Sequence, residues 1–348
     1  MKKRIGMLSI AVAVAASNVV YAEESQDLNK AREALSKQDN DADTEKALEE
    51  VFEAAEKNYS LLNKGGMSLN YNFDYSYYGD QRIDLEIVPS GDSSVIRNAD
   101  VSPVASHSFT NSFAFDYGLL NNVTLGFRLP LVAKFESQDE LTAYGVGDVS
   151  TTVRWQPSEY VPGKMSRTFF STLRIPTGVS PYEIDENESL PTGSGTFGLS
   201  GGVSTSKVLD PVVLFGSLSA GYDLPATDLN QVRDGRLLTE VNDGGNLSFS
   251  MGFAYSLSYD VSLSASFQGS YSMASEFVLY SPSTGQETRT ETTSQMSGIM
   301  NFALGVRVSP KTIANVNVGF GMTELSPDIL LGLSLPIDIE GSKPSEGN

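Results

Sequence analysis

Residues 247–271 have the sequence LSFSMGFAYSLSYDVSLSASFQGSY, and this stretch decides the fold class. Apolar and small polar residues alternate on both sides of a break at Tyr259 and Asp260. Alternation with a period of two is typical of β-strands, and two such runs joined by a short break predict a hairpin. One face carries Phe, Met, Leu and Tyr side chains, and the other carries mostly serine. Lipid on one side and water on the other would satisfy both faces, so the hairpin predicts a transmembrane β-barrel.

The same alternation recurs from residue 67 onward. A tilted strand needs about 9–11 residues to cross a bilayer. Twelve segments approach or exceed that length: 67–78, 105–117, 122–135, 147–156, 167–175, 196–206, 212–222, 246–257, 260–271, 295–308, 311–321 and 328–338. Bacterial outer-membrane barrels have an even number of antiparallel strands. The sequence therefore predicts an all-β transmembrane fold, an antiparallel up-and-down barrel of about twelve strands over residues 67–338, with a tail at 339–348.

The connections between these segments alternate in length. Short connections are 118–121, 207–211, 258–259 and 309–310, and long connections are 79–104, 176–195, 223–245 and 272–294. Of the others, 136–146 is longer, 157–166 is intermediate, and 322–327 is the last outer loop. Within the first long connection, Ile83–Val88 is expected to pair locally above the rim. Because bacterial barrels have short periplasmic turns and long external loops, this alternation predicts that both ends of the barrel segment face the periplasm.

Residues 1–22 predict a secretory signal peptide. A basic start at Lys2, Lys3 and Arg4 precedes a short apolar core at 5–14, and Ala22 ends a small-x-small cleavage pattern. The apolar core is too short for a transmembrane anchor. We therefore expect export, with the mature chain beginning at residue 23.

The composition of the 348 residues excludes several classes of function. The chain has no cysteine, which excludes zinc–cysteine sites, thiol nucleophiles and disulfides. Its formal net charge of −19 argues against a nucleic-acid partner, which requires a basic surface. The single histidine, His107, has Phe109 two positions later, where outer-membrane phospholipases carry a serine. We expect His107 to be a rim residue, and we expect no catalytic residue, cofactor or metal.

Residues 23–66 differ in composition and predict a periplasmic helical segment. Asp43 or Thr44 is a suitable N-cap, and Gly65-Gly66 ends the helix. An apolar stripe with helical spacing consists of Leu48, Val51, Ala55, Tyr59 and Leu62. Two interpretations remain open. The stripe packs on or inside the barrel as a plug, or it drives self-association outside the barrel as a coiled coil.

Several charged residues fall at positions of the strands that alternate with the apolar face. A charge facing lipid at mid-depth costs roughly 2–4 kcal/mol, so these residues are expected to line the pore. The candidate pore-lining residues are Asp74, Asp116, Arg128, Lys134, Asp148, Arg154, Arg174 and Arg307. They either brace the barrel as salt bridges or form a surface for selectivity or plug docking.

Five motifs resemble a known family: YGVGDVS at 144–150, LRIPTG at 173–178, GTFGLS at 195–200, SPD at 326–328 and GLSLP at 332–336. They are similar to the outer-membrane transporter family named for the meta-pathway of phenol degradation. Residues 48–62, followed by MSLNYNFDYSY at 67–77, more closely resemble the branch that contains the secretion channel of the bacterial functional-amyloid (Fap) system. The resemblance implies a twelve-stranded barrel whose N-terminal helical segment gates or assembles the pore.

The expected function is therefore a gated channel in the bacterial outer membrane. Its cargo would be a secreted polypeptide of the amyloid-subunit type or small solutes. The alternatives are passive diffusion of small hydrophobic or aromatic compounds, or a non-transporting structural or binding role. Expected partners are outer-membrane lipid, the transported molecule and, through the N-terminal helix, further copies of the chain.

Overall fold

The structure is a computed structural model that describes residues 61–337. The structure omits residues 91–92, 138–139, 159–160, 162–163, 186–187, 210, 234–235, 259 and 310–311, and gives only the backbone of 80–90, 93–104 and 233. The predicted signal peptide, most of the predicted helical segment and the C-terminal tail therefore lie outside the described residues. No helix in the described part of the chain is long and apolar enough to cross a bilayer.

Twelve antiparallel staves close into a barrel, which confirms the predicted fold class. Eleven staves are single strands: β1 (Met67–Ser90), β2 (Ser93–Leu120), β3 (Val123–Glu136), β6 (Ser166–Ile175), β7 (Gly198–Leu209), β8 (Val212–Asp223), β11 (Gly245–Ser256), β12 (Val261–Ser272), β15 (Gln295–Ser309), β16 (Thr312–Gly321) and β17 (Ile329–Ile337). The twelfth consists of β4 (Thr142–Val146) and β5 (Val149–Trp155), which both pair with β3. The ring closes where β1 pairs with β17, from Leu69 opposite Ile337 to Tyr77 opposite Ile329.

The two ends of the barrel differ, and we name them by their connections. At the short-turn end, tight turns join β2 to β3, β7 to β8, β11 to β12 and β15 to β16. At the long-loop end, β1 and β2 continue beyond the ring as a hairpin that pairs as far as Ser90 opposite Ser93. The sequence predicted a loop at 79–104 with local pairing at Ile83–Val88. The pairing is confirmed, and it extends along the whole hairpin.

Two further long connections, predicted only as loops, also contain strands. They form a four-stranded outer sheet of β9 (Gln231–Arg233), β10 (Arg236–Asn242), β13 (Glu276–Ser281) and β14 (Gln286–Glu291), in the order β14-β13-β10-β9. Leu238, Val241 and Val278 are buried in this sheet, and Tyr182 from the β6–β7 connection completes its core. The strands are short and come from separate connections, so period-two alternation within any one of them is too brief to reveal the sheet.

The two faces of each stave differ as the alternation predicts. On β11, for example, Met251 and Phe253 are 57% and 45% exposed, as expected of side chains that contact lipid. The alternating residues Ser250, Gly252 and Ala254 belong to the opposite face. Because a barrel has no second sheet to pack against, its apolar face points outward and its polar face surrounds the lumen.

Candidate functional site: the barrel lumen

Seven charged side chains project from one half of the ring, and we call this set the charged wall. Successive residues of a strand point to opposite faces, so charges at alternating positions of neighbouring strands meet on one side. The charged wall consists of Asp74 on β1, Asp116 on β2, Arg128 on β3, Asp148 between β4 and β5, Arg154 on β5, Arg174 on β6 and Asp223 on β8.

The first ion pair of the charged wall joins β5 to β2 across the intervening strand β3. Arg154 Nη1 lies 3.0 Å from Asp116 Oδ1, and the two side chains are only 10% and 15% exposed. Gly126 of β3 lies between them, and a Cβ atom there would come within 2.5 Å of Asp116 Oδ1 and 3.3 Å of Arg154 Nη2. The absence of a side chain at Gly126 therefore lets the pair reach across β3.

A second ion pair repeats this arrangement from β6 to β8 across β7. Arg174 Nη2 lies 2.7 Å from Asp223 Oδ1. Gly198 of β7 lies between them, and a Cβ atom at this glycine would clash with Asp223 Oδ1 and come within 3.1 Å of the Arg174 guanidinium carbon. A glycine on the middle strand is thus a recurring element of the charged wall.

The third ion pair of the charged wall is looser. Arg128 Nη2 lies 3.6 Å from Asp74 Oδ2, and both side chains are 48% exposed. The guanidinium also donates from Nε to Ser112 Oγ at 3.1 Å. Two cavities of about 400 and 440 Å³ open along the wall, and Arg128 lines both of them. This arginine is therefore accessible to a molecule inside the barrel.

Asp148 occupies the interruption between β4 and β5, where its side chain is only 8% exposed. Oδ1 accepts a hydrogen bond from Gly178 N at 3.1 Å, and Oδ2 accepts bonds from the backbone N and Oγ of Ser194 at 2.7 and 2.6 Å. Arg174 Nε lies 3.8 Å away. The sequence predicted a pore-lining carboxylate, and the structure places it mainly against the β6–β7 connection.

The remaining two predicted pore-lining residues lie away from the three ion pairs. Lys134 lies near the long-loop end of β3, opposite Ser108 of β2, and within electrostatic range of Asp148. Arg307 lies near the short-turn end of β15, opposite Ile313 of β16. The structure thus brings six of the eight predicted residues together and leaves Lys134 and Arg307 toward opposite ends.

The other half of the ring is lined by small hydroxyl and amide side chains, and we call it the hydroxyl wall. It contains Ser248, Ser250, Ser262, Ser264, Ser266, Gln268, Ser270, Ser297, Asn301, Asn315, Asn317 and Ser334 on β11, β12, β15, β16 and β17. Neighbouring strands are linked through hydroxyls, as between Ser270 and Ser297 at 2.7 Å. Among the described inward positions of these five strands, only Arg307 is charged.

An inner apolar cluster interrupts the polar lining near the short-turn end. It consists of Val213 and Phe215 on β8 and Ala254 on β11, with Val208 of β7 packed against them. Val213, Phe215 and Ala254 are 1%, 6% and 3% exposed. Sequence reasoning missed this cluster because the start of β8, Val-Val-Leu-Phe, is apolar on both faces and shows no alternation.

The chain enters the barrel at the short-turn end, beside the β2–β3 turn. Leu62 N donates to Thr124 Oγ1 at 2.8 Å, and Thr124 is a fully buried residue on the inner face of β3. Gly65, whose φ of 78° suits glycine, donates its N–H to Gly118 O at 2.8 Å. Leu62 is thus held at the lumen side of the wall. The other predicted stripe residues, Leu48, Val51, Ala55 and Tyr59, lie outside the described residues.

His107 lies on the outward, aromatic face of β2. Its Nδ1 is 2.9 Å from Tyr75 Oη, and its ring contacts Tyr77 and Phe135. Within the described ranges, no three or more His, Asp or Glu side chains are grouped so that they could hold a metal ion.

Asp223 is the one member of the charged wall that sequence reasoning missed. The seventh predicted segment, 212–222, ended one position before it. The inward series Val213, Phe215, Ser217, Ser219 and Gly221 leads to Asp223 at the next alternating position. Extending the alternation by a single residue would have identified it.

No known protein-family model matches this chain, so the resemblance to the meta-pathway transporters stays a prediction. Among solved structures, the chain is similar to an outer-membrane channel from Pseudomonas putida F1, with 15% identity and a TM-score of 0.56 over 80% of this chain and 97% of that chain. The fold is therefore that of a bacterial outer-membrane β-barrel.

Two further similar structures are barrels of other proteins. One is the translocator domain of the autotransporter NalP from Neisseria meningitidis, with 12% identity, a TM-score of 0.46, and coverage of 90% of this chain and 98% of that chain. The other is a mutant of the monoaromatic hydrocarbon channel TodX, with 8% identity, a TM-score of 0.40, and coverage of 79% and 89%.

Proposed function

We propose that this chain is a bacterial outer-membrane channel that passes a secreted polypeptide of the amyloid-subunit type, or small solutes, and is closed by its N-terminal segment. The observation that carries the proposal is the attachment of Leu62 to Thr124 on the inner face of β3. This bond holds the start of the described chain at the lumen side of the wall, and we propose that the segment before it continues into the lumen. In this proposal, the short-turn end faces the periplasm and the long-loop end faces the exterior.

The inner apolar cluster supports closure by residues 23–60. Val213 and Phe215 are apolar side chains on the inner face, whereas the described inward positions of the neighbouring strands β7 and β11 carry mostly small or polar residues. An α-helix with its side chains is about 10–12 Å across, and an apolar stripe on one side would complement an apolar cluster on the wall. We propose that the stripe of Leu48, Val51, Ala55 and Tyr59 is seated against this cluster.

The polar lining favours a hydrated or polypeptide cargo. Serine and asparagine hydroxyls and amides can exchange hydrogen bonds with water or a peptide backbone without selecting a sequence. Arg128, half exposed between the two cavities, offers a cationic contact to passing carboxylates. An extended chain in such a lumen would meet few contacts strong enough to arrest it.

Closure is tested by single-channel recording of the full chain and of a variant lacking residues 23–60, which keeps Leu62 and Thr124. The variant is expected to have higher open probability or conductance. Added salt should raise the open probability of the full chain, because residues 23–60 are acidic and the exposed arginines are basic. Identical gating with and without the segment would contradict closure.

The seat of the segment is tested by disulfide trapping, for which the absence of cysteine gives a clean background. Ala55→Cys combined with Val213→Cys should cross-link and hold the channel closed until reductant is added. Ala55→Cys combined with Leu214→Cys is the matched control, because Leu214 is outward and 46% exposed. If residues 23–60 close the channel but Ala55→Cys does not cross-link to Val213→Cys, the segment binds at another place in the lumen.

Self-association through the same stripe is the competing role for residues 23–60. In that case, deleting the segment should reduce the oligomeric mass in detergent and leave the single-channel conductance of each barrel unchanged. Mass photometry of the two proteins, run beside the recordings, separates these outcomes. A barrel with no conductance in either form would instead have a structural or binding role.

Diffusion of small hydrophobic or aromatic compounds is the second candidate, because Phe170 and Phe215 occupy inward positions of β6 and β8. Vesicles that contain the segment-deleted barrel should then take up a monoaromatic compound faster than empty vesicles. They should not release trapped glycine-serine peptides. Rapid peptide release would favour the polypeptide channel.

The proposed orientation is tested by epitope tags on intact cells. A tag in 223–245 should bind antibody from outside, whereas a tag in 157–166 should bind only after the outer membrane is permeabilised. The reverse labelling pattern would invert the orientation without affecting the barrel itself.

A further inference from the structure

The ring has one place where strand pairing does not close the wall. β5 pairs with β6 only from Trp155 opposite Phe169 to Val149 opposite Ile175. Beyond that rung, β4 pairs with β3 on one side and with no described strand on the other. Inside a membrane, the backbone N–H and C=O groups at a sheet edge need hydrogen-bond partners other than a neighbouring strand. The free edge of β4 therefore requires such partners.

Residues 176–197, which we call the seam loop, supply those partners. Thr192 Oγ1 donates to Val146 O at 3.0 Å, and Thr177 Oγ1 donates to Gly147 O at 2.7 Å. Val149 N in turn donates to Thr177 Oγ1 at 3.0 Å. Side-chain hydrogen bonds thus cover Val146 O, Gly147 O and Val149 N at this edge, and they can be broken without unpairing the strands of the barrel.

Asp148 is the centre of this closure. Its carboxylate accepts three hydrogen bonds from both stems of the seam loop, one from Gly178 and two from Ser194. The stems cross at Gly178 and Gly193, where a Cβ atom on either residue would come within 2.8 Å of the other's backbone. A charged acceptor makes stronger hydrogen bonds than a neutral one, so this single side chain holds both stems.

The middle of the seam loop is fixed to the outer sheet rather than to the barrel. Tyr182 is buried against Leu238 and Val241, and its Oη donates to Asp243 Oδ2 at 3.1 Å. Gln231 Nε2 donates to the carbonyl oxygens of Pro181 and Ile184 at 2.9 and 2.6 Å. The outer sheet and the seam loop therefore form one unit, and Asp148 accepts three of the hydrogen bonds that connect this unit to the β4–β5 interruption.

Arg174 links the same carboxylate to the lumen. It lies 3.8 Å from Asp148 Oδ2 while bonding Asp223 at 2.7 Å, and it lines the second luminal cavity. From these contacts we infer that Asp148 is a latch, a positioning residue that fastens the seam loop and the outer sheet to the barrel wall. Releasing it frees this unit at the long-loop end and leaves the barrel ladder intact.

The latch is tested on the full chain in lipid by hydrogen–deuterium exchange of Asp148→Asn. Amides of the seam loop and of Leu238 and Val241 in the outer sheet should exchange about tenfold faster or more, because they open together. The amides of Thr168 and Ser204, in the β6–β7 ladder, should not change. Exchange that rises only at Gly178 and Ser194 would overturn the latch and leave a local hydrogen bond.

Two further variants keep the test decisive if Asp148→Asn does not fold. Ser194→Ala removes the Oγ hydrogen bond to Asp148 and keeps the backbone one, so it should reproduce part of the effect, and it should add little to Asp148→Asn. Ser171→Ala is the matched control, because its Oγ donates to Ser200 O and both residues belong to the β6–β7 ladder rather than to the seam loop. Equal exchange in Ser194→Ala and Ser171→Ala would refute the latch.

A conductance measurement connects the latch to the proposed channel. In the background that lacks residues 23–60, Asp148→Asn should increase current fluctuations, with the wild-type residue in the same background as reference. The conductance measurement rests on the proposed function, whereas the hydrogen–deuterium exchange measurement does not. If Asp148→Asn exchanges faster but no conductance is seen in any form, the latch is retained and the channel is refuted. If the barrel conducts but exchange is unchanged in Asp148→Asn, the channel is retained and the latch is refuted.

Discussion

The charged wall and the hydroxyl wall line the same lumen but are held together differently. In the charged wall, ion pairs join strands that are not neighbours, as when Arg154 of β5 reaches Asp116 of β2. In the hydroxyl wall, short hydrogen bonds join adjacent strands, as between Ser270 and Ser297. A buried ion pair becomes costly when one partner is lost, whereas a hydroxyl is replaced easily by water. We therefore expect the charged wall to fix the shape of the barrel and the hydroxyl wall to tolerate substitution.

The largest expected difference between the walls comes from removing one partner of a buried charge. Asp116→Ala should lower the free energy of unfolding by about 3–5 kcal/mol, because Arg154 would stay buried without its carboxylate. Ser264→Ala, at a buried position of the hydroxyl wall, should lower it by about 1 kcal/mol or less. Urea unfolding in lipid vesicles measures both. Equal losses would show that the walls are energetically alike.

The second prediction tests the faces of the hydroxyl wall itself. Phe253→Arg should destabilise the folded barrel by about 2–4 kcal/mol, because the outward face of β11 meets lipid. Ser256→Arg on the inward face of the same strand should be tolerated, since water solvates the guanidinium. Refolding yield and unfolding free energy in vesicles compare the two variants. Similar tolerance at both sites would show that the assignment of the two faces is wrong.

The third prediction concerns the glycine over which the first ion pair passes. Gly126→Ala should cost about 1–3 kcal/mol, since its Cβ would crowd Asp116 and Arg154. Gly201→Ala is the control, because its Cβ would meet only Phe170 O at 3.5 Å. A double-mutant cycle sharpens the test: Gly126→Ala should cost less when Asp116 is already alanine. If the losses of unfolding free energy from Gly126→Ala and Asp116→Ala simply add, the cost of Gly126→Ala does not come from crowding of Asp116.

The smallest expected effect lies in the exposed pair of the charged wall. Asp74→Asn should lower the free energy of unfolding by less than about 1 kcal/mol, because both Asp74 and Arg128 are half exposed and solvent screens them. Raising the salt concentration should shrink this loss further and leave the Asp116→Ala loss nearly unchanged. Matched denaturation curves at low and high salt measure the difference, and a salt-independent loss at Asp74 would contradict it.

The charged positions could be predicted because alternation fixes which face a strand residue takes. Arg128, Arg154 and Arg174 follow from that rule alone, and Asp223 would have followed with one more residue of β8. Their partners could not be predicted, because pairing across an intervening strand depends on stagger between neighbours and on the gap that a glycine leaves. Nothing in the local sequence near Gly126 indicates which carboxylate will lie beside Arg154.

The barrel, the number of staves and the inward positions of the charges follow from the amino-acid sequence, because each depends on the period-two geometry of a single strand. Only the tertiary structure decided the role of Asp148, the outer sheet around Leu238 and Val241, and the inner apolar cluster at Val213. Each of these joins segments far apart in the chain. Their contacts depend on how the closed ring brings separate connections together, and local periodicity carries no information about such distances.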